Sequence, residues 1–421
     1  MARRNEQQTQ RRSLTTTLVG LAVVVVLVIL TQLTGIDFLE IAGVTTAVPT
    51  ATPSPTATLT SVPTMTFTPA PTRVASAPGE VEELAVGQGF GAEKDFWQVY
   101  FDAPTGSSDS ATYVDGIDVP LANAINGVQR TLDIAAFEFN NAVLTEAILN
   151  AKARGVEVRI VTDDEHGVED ENDPSLGQFA EAGIPIVDDE RSDLMHNKFM
   201  ILDSTTVWTG SWNYTVNGTY RNNNNALVLR SQRAVQAYQA EFDEMFDRHQ
   251  FGPTSSTGNG ASFTQDGVPI QILFASEDAV AEAILAELQQ ADTSIRFMTY
   301  VMSLDELGQA IIERAAAGVA VQGIFEDRNS TAGWSELPAL YCAGLSMRQD
   351  GNKYILHHKV MIIDDETVIT GSYNFSASAE DSNDENVVII TDPDLAAQYI
   401  AEFERRWAEA TEVEAGDITC D

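Results

Sequence analysis

Two stretches of this chain carry one spaced pattern, and that repetition limits what the chain can fold into. His196, Lys198, Asp203, Gly210, Ser211 and Asn213 recur as His357, Lys359, Asp364, Gly371, Ser372 and Asn374. Both sets read H-x-K-x4-D-x6-G-S-x-N, 161 residues apart. In a strand, residues i and i+2 share a face, so His196 with Lys198, and His357 with Lys359, each look into one cavity. The same alternation turns His358, at the variable position, to the opposite face. His166 and His249 stand outside the pattern and read as ordinary residues.

The repetition extends beyond the motifs. Thr131–Phe139 matches Ser294–Met302, Ala151–Asp164 matches Arg314–Asp327, and Gln239–Phe246 matches Ile400–Trp407. Gly155 and Gly318 stand where a helix ends just before an apolar strand, the position of a C′ glycine. Each repeat therefore reads helix, strand, helix, strand, motif strand, strand, closing helix. This alternation predicts two repeated mixed-sheet α/β domains with helices on one side of each sheet. The expected divisions are repeat 1 at 79–251, a linker at 252–262 and repeat 2 at 263–421. The stretch Gly106–Gly116 has no counterpart in the second half and reads as a surface loop near the entrance to a site.

The paired motifs resemble the HKD signature of the phospholipase D superfamily in its two-repeat form, over about residues 85–415. The resemblance implies that the repeats pack with pseudo-twofold symmetry around one active site at their interface. A phosphodiester needs a nucleophile, an acid for the leaving alkoxide and cations for the non-bridging oxygens. Two imidazoles and two ammonium groups supply these. The expected catalytic set is His196, Lys198, Asp203, His357, Lys359 and Asp364, with the two aspartates bracing the motif. Ser211, Asn213, Ser372 and Asn374 are expected to bind the substrate phosphate. The superfamily commonly orients a motif histidine with a carboxylate, and Glu385 is expected to do so for His357, where repeat 1 has the neutral Asn224. A carboxylate partner raises a histidine's pKa, which would make His357 the general acid and His196 the nucleophile. No metal and no other cofactor is expected, and the acidic run Asp163–Asp173 lacks a calcium-loop pattern.

The N-terminal region is of another kind. Arg3, Arg4, Arg11 and Arg12 precede Leu14–Leu33, long enough and apolar enough to span a bilayer, with the arginines on the cytoplasmic side. Expected divisions are a basic cytoplasmic segment (1–13), a transmembrane anchor (14–33) and a Thr/Pro-rich disordered linker (34–78). A cleavable signal peptide is the competing reading and would give a secreted enzyme. Either way the catalytic region is expected outside the cytoplasm, where Cys342 and Cys420 can pair.

Substrate class follows less directly. The formal net charge is −38, and the only basic cluster lies in the N-terminal segment. A duplex nuclease usually presents basic surface to phosphates, so charge disfavours nucleic acid without excluding it. The sequence reading is a phospholipase D acting on glycerophospholipids, expected as a monomeric catalytic unit. The alternative is an extracytoplasmic endonuclease of the same superfamily.

Overall fold

The computed structural model describes residues 79–168, 174–254, 258–414 and 416–420. The proposed anchor Leu14–Leu33 and the linker 34–78 lie outside the described residues. Among the described residues, no helix is long and apolar enough to cross a membrane.

Two nine-stranded mixed sheets form the framework. The first holds β1 (Glu82–Leu84), β2 (Gly89–Lys94), β3 (Trp97–Asp102), β4 (Thr131–Ala136), β5 (Glu157–Thr162), β6 (Ile186–Asp188), β7 (Lys198–Leu202), β8 (Thr206–Gly210) and β9 (Asn225–Leu229), in the order β1-β2-β3-β9-β8-β7-β4-β5-β6. The second holds β10 (Ala261–Gln265), β11 (Val268–Ala275), β12 (Ser294–Thr299), β13 (Ala320–Phe325), β14 (Ser346–Gln349), β15 (Lys359–Ile363), β16 (Thr367–Gly371), β17 (Glu385–Thr391) and β18 (Thr411–Glu412). Its order, β10-β11-β17-β16-β15-β12-β13-β14-β18, repeats the first from β2 to β6. Among the named strands, parallel pairing is confined to β4-β5-β6 and β12-β13-β14. Gly155 and Gly318 take φ of +92° and +103°, as helix-ending glycines do.

Helices cover both faces of each sheet, not one as the alternation had suggested. The outer face of the first sheet packs against helices Asp118–Gly127, Ala142–Ala153 and Pro174–Glu181. The inner faces of both sheets share one core with the closing helices Gln232–Arg248 and Pro393–Glu409. Ala234, Val235, Tyr238, Phe242 and Met245 recur at helical spacing and are all buried there. The sequence pattern did not separate these cases, because each strand of a two-sided sheet is apolar on both faces.

Two asparagines lock the repeats together at the start of β9 and β17. The Asn386 Oδ1 accepts from Thr209 Oγ1 (2.6 Å) and Tyr238 Oη (3.1 Å) of the first repeat, and its Nδ2 donates to Asn197 Oδ1 (2.8 Å) and Ser372 Oγ (3.4 Å). The Asn225 Oδ1 accepts reciprocally from Thr370 Oγ1 (2.9 Å) and Tyr399 Oη (3.1 Å) of the second repeat. Its Nδ2 donates to Ser211 Oγ (3.3 Å) and His358 Nδ1 (3.2 Å). Each amide thus uses its full complement of donors and acceptors in a dry interior. The reciprocity is what a pseudo-twofold relation between the repeats requires.

Cys342 and Cys420 form a disulfide with Cα atoms 5.4 Å apart. It ties the chain's end beside β14, where β18 adds an antiparallel edge.

Asn386→Ala would strand two buried hydroxyls and the Asn197 amide at the interface. It is expected to cost about 3 kcal/mol of stability, read from denaturant midpoints at constant m-value. A loss below about 0.5 kcal/mol would show that the asparagine does not hold the repeats.

Candidate active site

The motif strands begin at the interface between repeats. The His196 N–H donates to Asp384 O (3.0 Å), and the His357 N–H donates to Asn223 O (2.9 Å), each crossing to the other repeat. One residue earlier, Met195 donates its N–H to Asp163 Oδ2 (3.1 Å) and Leu356 donates to Glu326 Oε2 (2.7 Å). Asp163 and Glu326 follow β5 and β13, so each repeat's parallel strands aim its own motif strand.

The histidines exchange partners across the interface. His196 Nδ1 lies 2.8 Å from both carboxylate oxygens of Glu385. His357 Nδ1 lies 3.0 Å from Ser211 O and 2.9 Å from Asn224 Oδ1. The expectation that Glu385 orients His357 is therefore corrected: Glu385 serves His196, and Asn224 serves His357. Every acceptor here lacks a proton to give, so both rings carry hydrogen on Nδ1 and present Nε2 as a lone pair when neutral.

The motif serines are also corrected. Ser372 Oγ donates to Glu385 Oε2 (2.6 Å) and accepts from Asn386 N (3.0 Å). Ser211 Oγ donates to Asn224 Oδ1 (2.9 Å) and accepts from Asn225 N (3.1 Å). Each hydroxyl is thus committed to a residue that orients a histidine and to a backbone N–H. The preceding glycine provides the clearance for this. A Cβ on Gly371 would lie 2.0 Å from Asn386 O, and one on Gly210 2.4 Å from Asn225 O.

Asp203 and Asp364 lie at the far ends of β7 and β15, away from the histidines, and leave the catalytic set. Asp203 accepts from the backbone N–H of Gln129, Arg130 and Thr131. Asp364 accepts likewise from Asp292, Thr293 and Ser294. Each opens a hairpin turn at positive φ, +50° and +54°, and the bonds to the start of β4 or β12 offset that strain. Burial is the largest single influence and pushes both carboxyl pKa values up, but the backbone N–H donors together outweigh it and hold them below the usual range.

Asn213 and Asn374 are half-buried. Asn213 Nδ2 donates to Glu138 Oε2 (3.0 Å). His358 faces away from the site as alternation predicts, but it is fully buried: its Nε2 donates to Glu402 (3.2 Å) and its Nδ1 accepts from Asn225. Its role is structural and demanding.

Two aromatic walls were missed in the sequence. The Phe137 ring stands 4.8 Å from the His196 ring, with Lys198 Nζ 4.8 Å above it. Tyr300 occupies the related position, 5.1 Å from His357 and 4.9 Å from Lys359 Nζ. The His166 ring also packs against Phe137, tilted by 43° at 4.7 Å. The aligned pairs Phe137/Tyr300 and Asp163/Glu326 were visible in the internal repeat, but nothing in the spacing marked them as part of the site.

The electrostatics show how strained this concentration of bases is. Burial, opposed by the charge of Glu385, lowers His196 to about 4. Burial also lowers Lys198 to about 7. His357 and Lys359 fall well below their usual values, through burial first and the neighbouring cations second. Burial alone would raise Glu385, but His196, Lys198 and Ser372 hold it ionised. A cavity of this composition favours an anion, because each added negative charge restores the protonated form of the bases. The lysines donate to the His196 and His357 carbonyls, leaving further N–H bonds for substrate oxygens.

A family model described as the PLD-like domain of cardiolipin synthase matches residues 121–246 and 284–407, more than half of the chain. The chain belongs to this phospholipase D-like family of phosphodiesterases. It is similar to the mitochondrial cardiolipin hydrolase of Xenopus tropicalis, 36% identical over 121 residues, which are 29% of this chain and 57% of that protein. It is also similar to the phospholipase D of Rickettsia conorii, 38% identical over 125 residues, or 30% of this chain and 62% of that one. The matched part is less than two thirds of either relative. The crystal structure of phosphatidylserine synthase from Haemophilus influenzae resembles it in fold, with a TM-score of 0.55 at 14% identity, covering 70% of this chain and 85% of that one.

Glu385→Gln keeps the shape but removes the charge that supports a cationic His196. Turnover is expected to fall on the order of 100-fold or more. Because Glu385 raises the His196 pKa, the acid limb of kcat/KM should move to lower pH. A pH profile unchanged from wild type would mean that the carboxylate does not act through His196.

Proposed function

We propose that this chain is a phospholipase D-type phosphodiesterase that releases the headgroup alcohol of glycerophospholipids through a phosphohistidine on His196. The observation that carries this reading is the pair of Nδ1-anchored imidazoles with two buried lysines, drawn from both repeats. Glu385 stabilises the positive ring that forms when His196 Nε2 bonds to phosphorus, which makes His196 the nucleophile. This reaches the assignment expected from sequence by the opposite route, since the carboxylate supports the nucleophile and not the acid.

In the first step His196 Nε2 attacks phosphorus, the bond to the headgroup oxygen breaks, and His357 Nε2–H protonates that oxygen. The bound phosphodiester anion raises the His357 pKa and so supplies the protonated acid. In the second step neutral His357 takes a proton from water, the water oxygen bonds to phosphorus, and the P–N bond breaks to release phosphatidate. Lys198, Lys359 and the amides of Asn213 and Asn374 hold the non-bridging oxygens.

The lipid reading over the nuclease alternative is supported by the charge of −38 and by relatives named as a phospholipase D and a cardiolipin hydrolase. The apolar run Leu14–Leu33 supports a membrane anchor that places the catalytic region at an extracytoplasmic lipid surface.

The test offers phosphatidylcholine, phosphatidylglycerol, single-stranded DNA and bis(p-nitrophenyl) phosphate to the purified protein. Headgroup release is expected. With the chromogenic diester, whose leaving group needs little acid help, His357→Asn should give a burst of one p-nitrophenol per site and a phosphorylated His196 peptide. His196→Asn should give neither. Phosphate on His357 would reverse the roles. Salt-sensitive DNA cleavage without headgroup release would replace the lipid reading with the nuclease.

A further inference from the structure

The two motif histidines are oriented by different groups, a carboxylate for His196 and an amide for His357. The strand pairs behind them show where the second carboxylate stands. In the second sheet Ala275 of β11 lies opposite Glu385 of β17. In the first sheet Phe101 of β3 pairs with Asn225 of β9, and next to that pair the Asp102 N–H donates to Asn224 O (3.2 Å). The pseudo-twofold relation therefore matches Asn224 with Glu385 and Asp102 with Ala275. Each opposed pair holds one carboxyl group and one neutral residue, but in the first repeat the carboxyl has moved to the neighbouring strand. Residues directly opposite in an antiparallel pair share a face, with Cβ atoms about 5 Å apart.

Asp102 is fully buried, and neither of its carboxyl oxygens has a hydrogen-bond partner of ordinary geometry among the described residues. Such a group costs stability and calls for another explanation. Burial first, then the charges of Asp118 and Glu402, push its pKa well above the usual carboxylate range, while Arg406 and the Asn224 amide pull it down. Tyr220, whose hydroxyl donates to Asp118 (2.9 Å), also feels its charge. These are the groups that face it from β9, from helices Asp118–Gly127 and Pro393–Glu409, and from the turn before Asn224.

Asn224 connects this carboxyl to the site. Its Oδ1 accepts from His357 Nδ1 (2.9 Å) and Ser211 Oγ (2.9 Å), and its Nδ2 donates to Gly218 O (2.9 Å). An amide nitrogen carries two hydrogens, so one remains for Asp102. A negative charge at that end polarises the amide and makes Oδ1 a stronger acceptor for a positive imidazole.

We infer that Asp102 is a positioning residue for His357, acting through Asn224: the chain Asp102–Asn224–His357 does at one remove what direct contact with Glu385 does for His196. This rests on the assignment of His357 as the acid and deepens it. In the empty protein burial favours the uncharged form at both ends of the chain. Once bound substrate brings His357 to its protonated state, the cation and an ionised Asp102 stabilise each other across the amide, so the two titrate together. The intervening amide keeps this support weaker than a direct ion pair, as suits an acid that must give up its proton.

The test is Asp102→Asn in the whole protein, which keeps the shape and removes the charge. A carboxylate needed only for structure would lower the thermal midpoint when replaced, whereas here the midpoint should not fall. With inorganic phosphate bound, the His357 ring followed by nitrogen NMR should protonate about one pH unit lower in the variant, while His196 moves little. In kcat/KM, which reports formation of the phosphohistidine, phosphatidylcholine should lose about 10-fold more than phosphatidyl-p-nitrophenol, whose leaving group needs little acid. The basic limb of the phosphatidylcholine profile should move to lower pH, because the acid is protonated over a narrower range. An unchanged His357 titration, a shift shared equally by His196, or equal losses with both leaving groups would overturn the inference. Release from no lipid, with bis(p-nitrophenyl) phosphate still cleaved, would remove the lipid reading and leave the imidazole titration to decide this one.

Discussion

The buried contact between His196 and Glu385 joins the two halves of the molecule, and the site depends on it. Glu385 comes from the second repeat and His196 from the first. Neither repeat alone holds a charged partner for its own motif histidine. The same segment carries Asp384, which receives the His196 N–H, and Asn386, which binds the first repeat's Thr209 and Tyr238. Orientation of His196 and cohesion of the repeats are thus built into three consecutive residues. Single-residue tests at 384–386 therefore report on both stability and chemistry, and the two must be measured together.

The second constraint is charge. Two lysines and two histidines share a buried space with one ionised carboxylate, Glu385, in direct contact, and burial depresses all four bases. Such an arrangement is costly for an isolated protein and favourable once a phosphodiester anion lies among the bases. Stability has been exchanged for preorganisation. The hairpin aspartates and the fully bonded asparagines compensate at a distance from the reacting atoms. The acidic exterior leaves the site's positive character local, so long-range attraction of a polyanion is weak.

Much of this was legible in the sequence. The six-position pattern located the site, the internal matches gave the order of elements, and alternation oriented His358 away from substrate. What escaped were relations between repeats. A sequence compares position with position, so Glu385 was assigned to His357, the histidine of its own repeat, whereas the fold crosses the partners over. The motif serines were read as phosphate ligands. In space the glycine clears the way for the carbonyl of Asn225 or Asn386, and the serine is spent on bonding the orienting side chain. The aspartates, four apolar residues beyond the lysines, were fixed at the far end of a strand by that spacing, and only the turn geometry revealed their three N–H partners. Helices on both sheet faces were hidden because strands buried on both sides lose the alternation that marks a face.

The crossed partnership can be observed directly in the nitrogen and proton NMR of the imidazoles, with selective histidine labelling at neutral pH. The account predicts that His196 and His357 are both neutral with hydrogen on Nδ1, and that His358 carries its hydrogen on Nε2. It further predicts that Glu385→Gln shifts the His196 ring resonances while those of His357 move little. Hydrogen on Nε2 of His196 or His357, or a Glu385 substitution felt mainly at His357, would contradict the crossed arrangement on which the site is built.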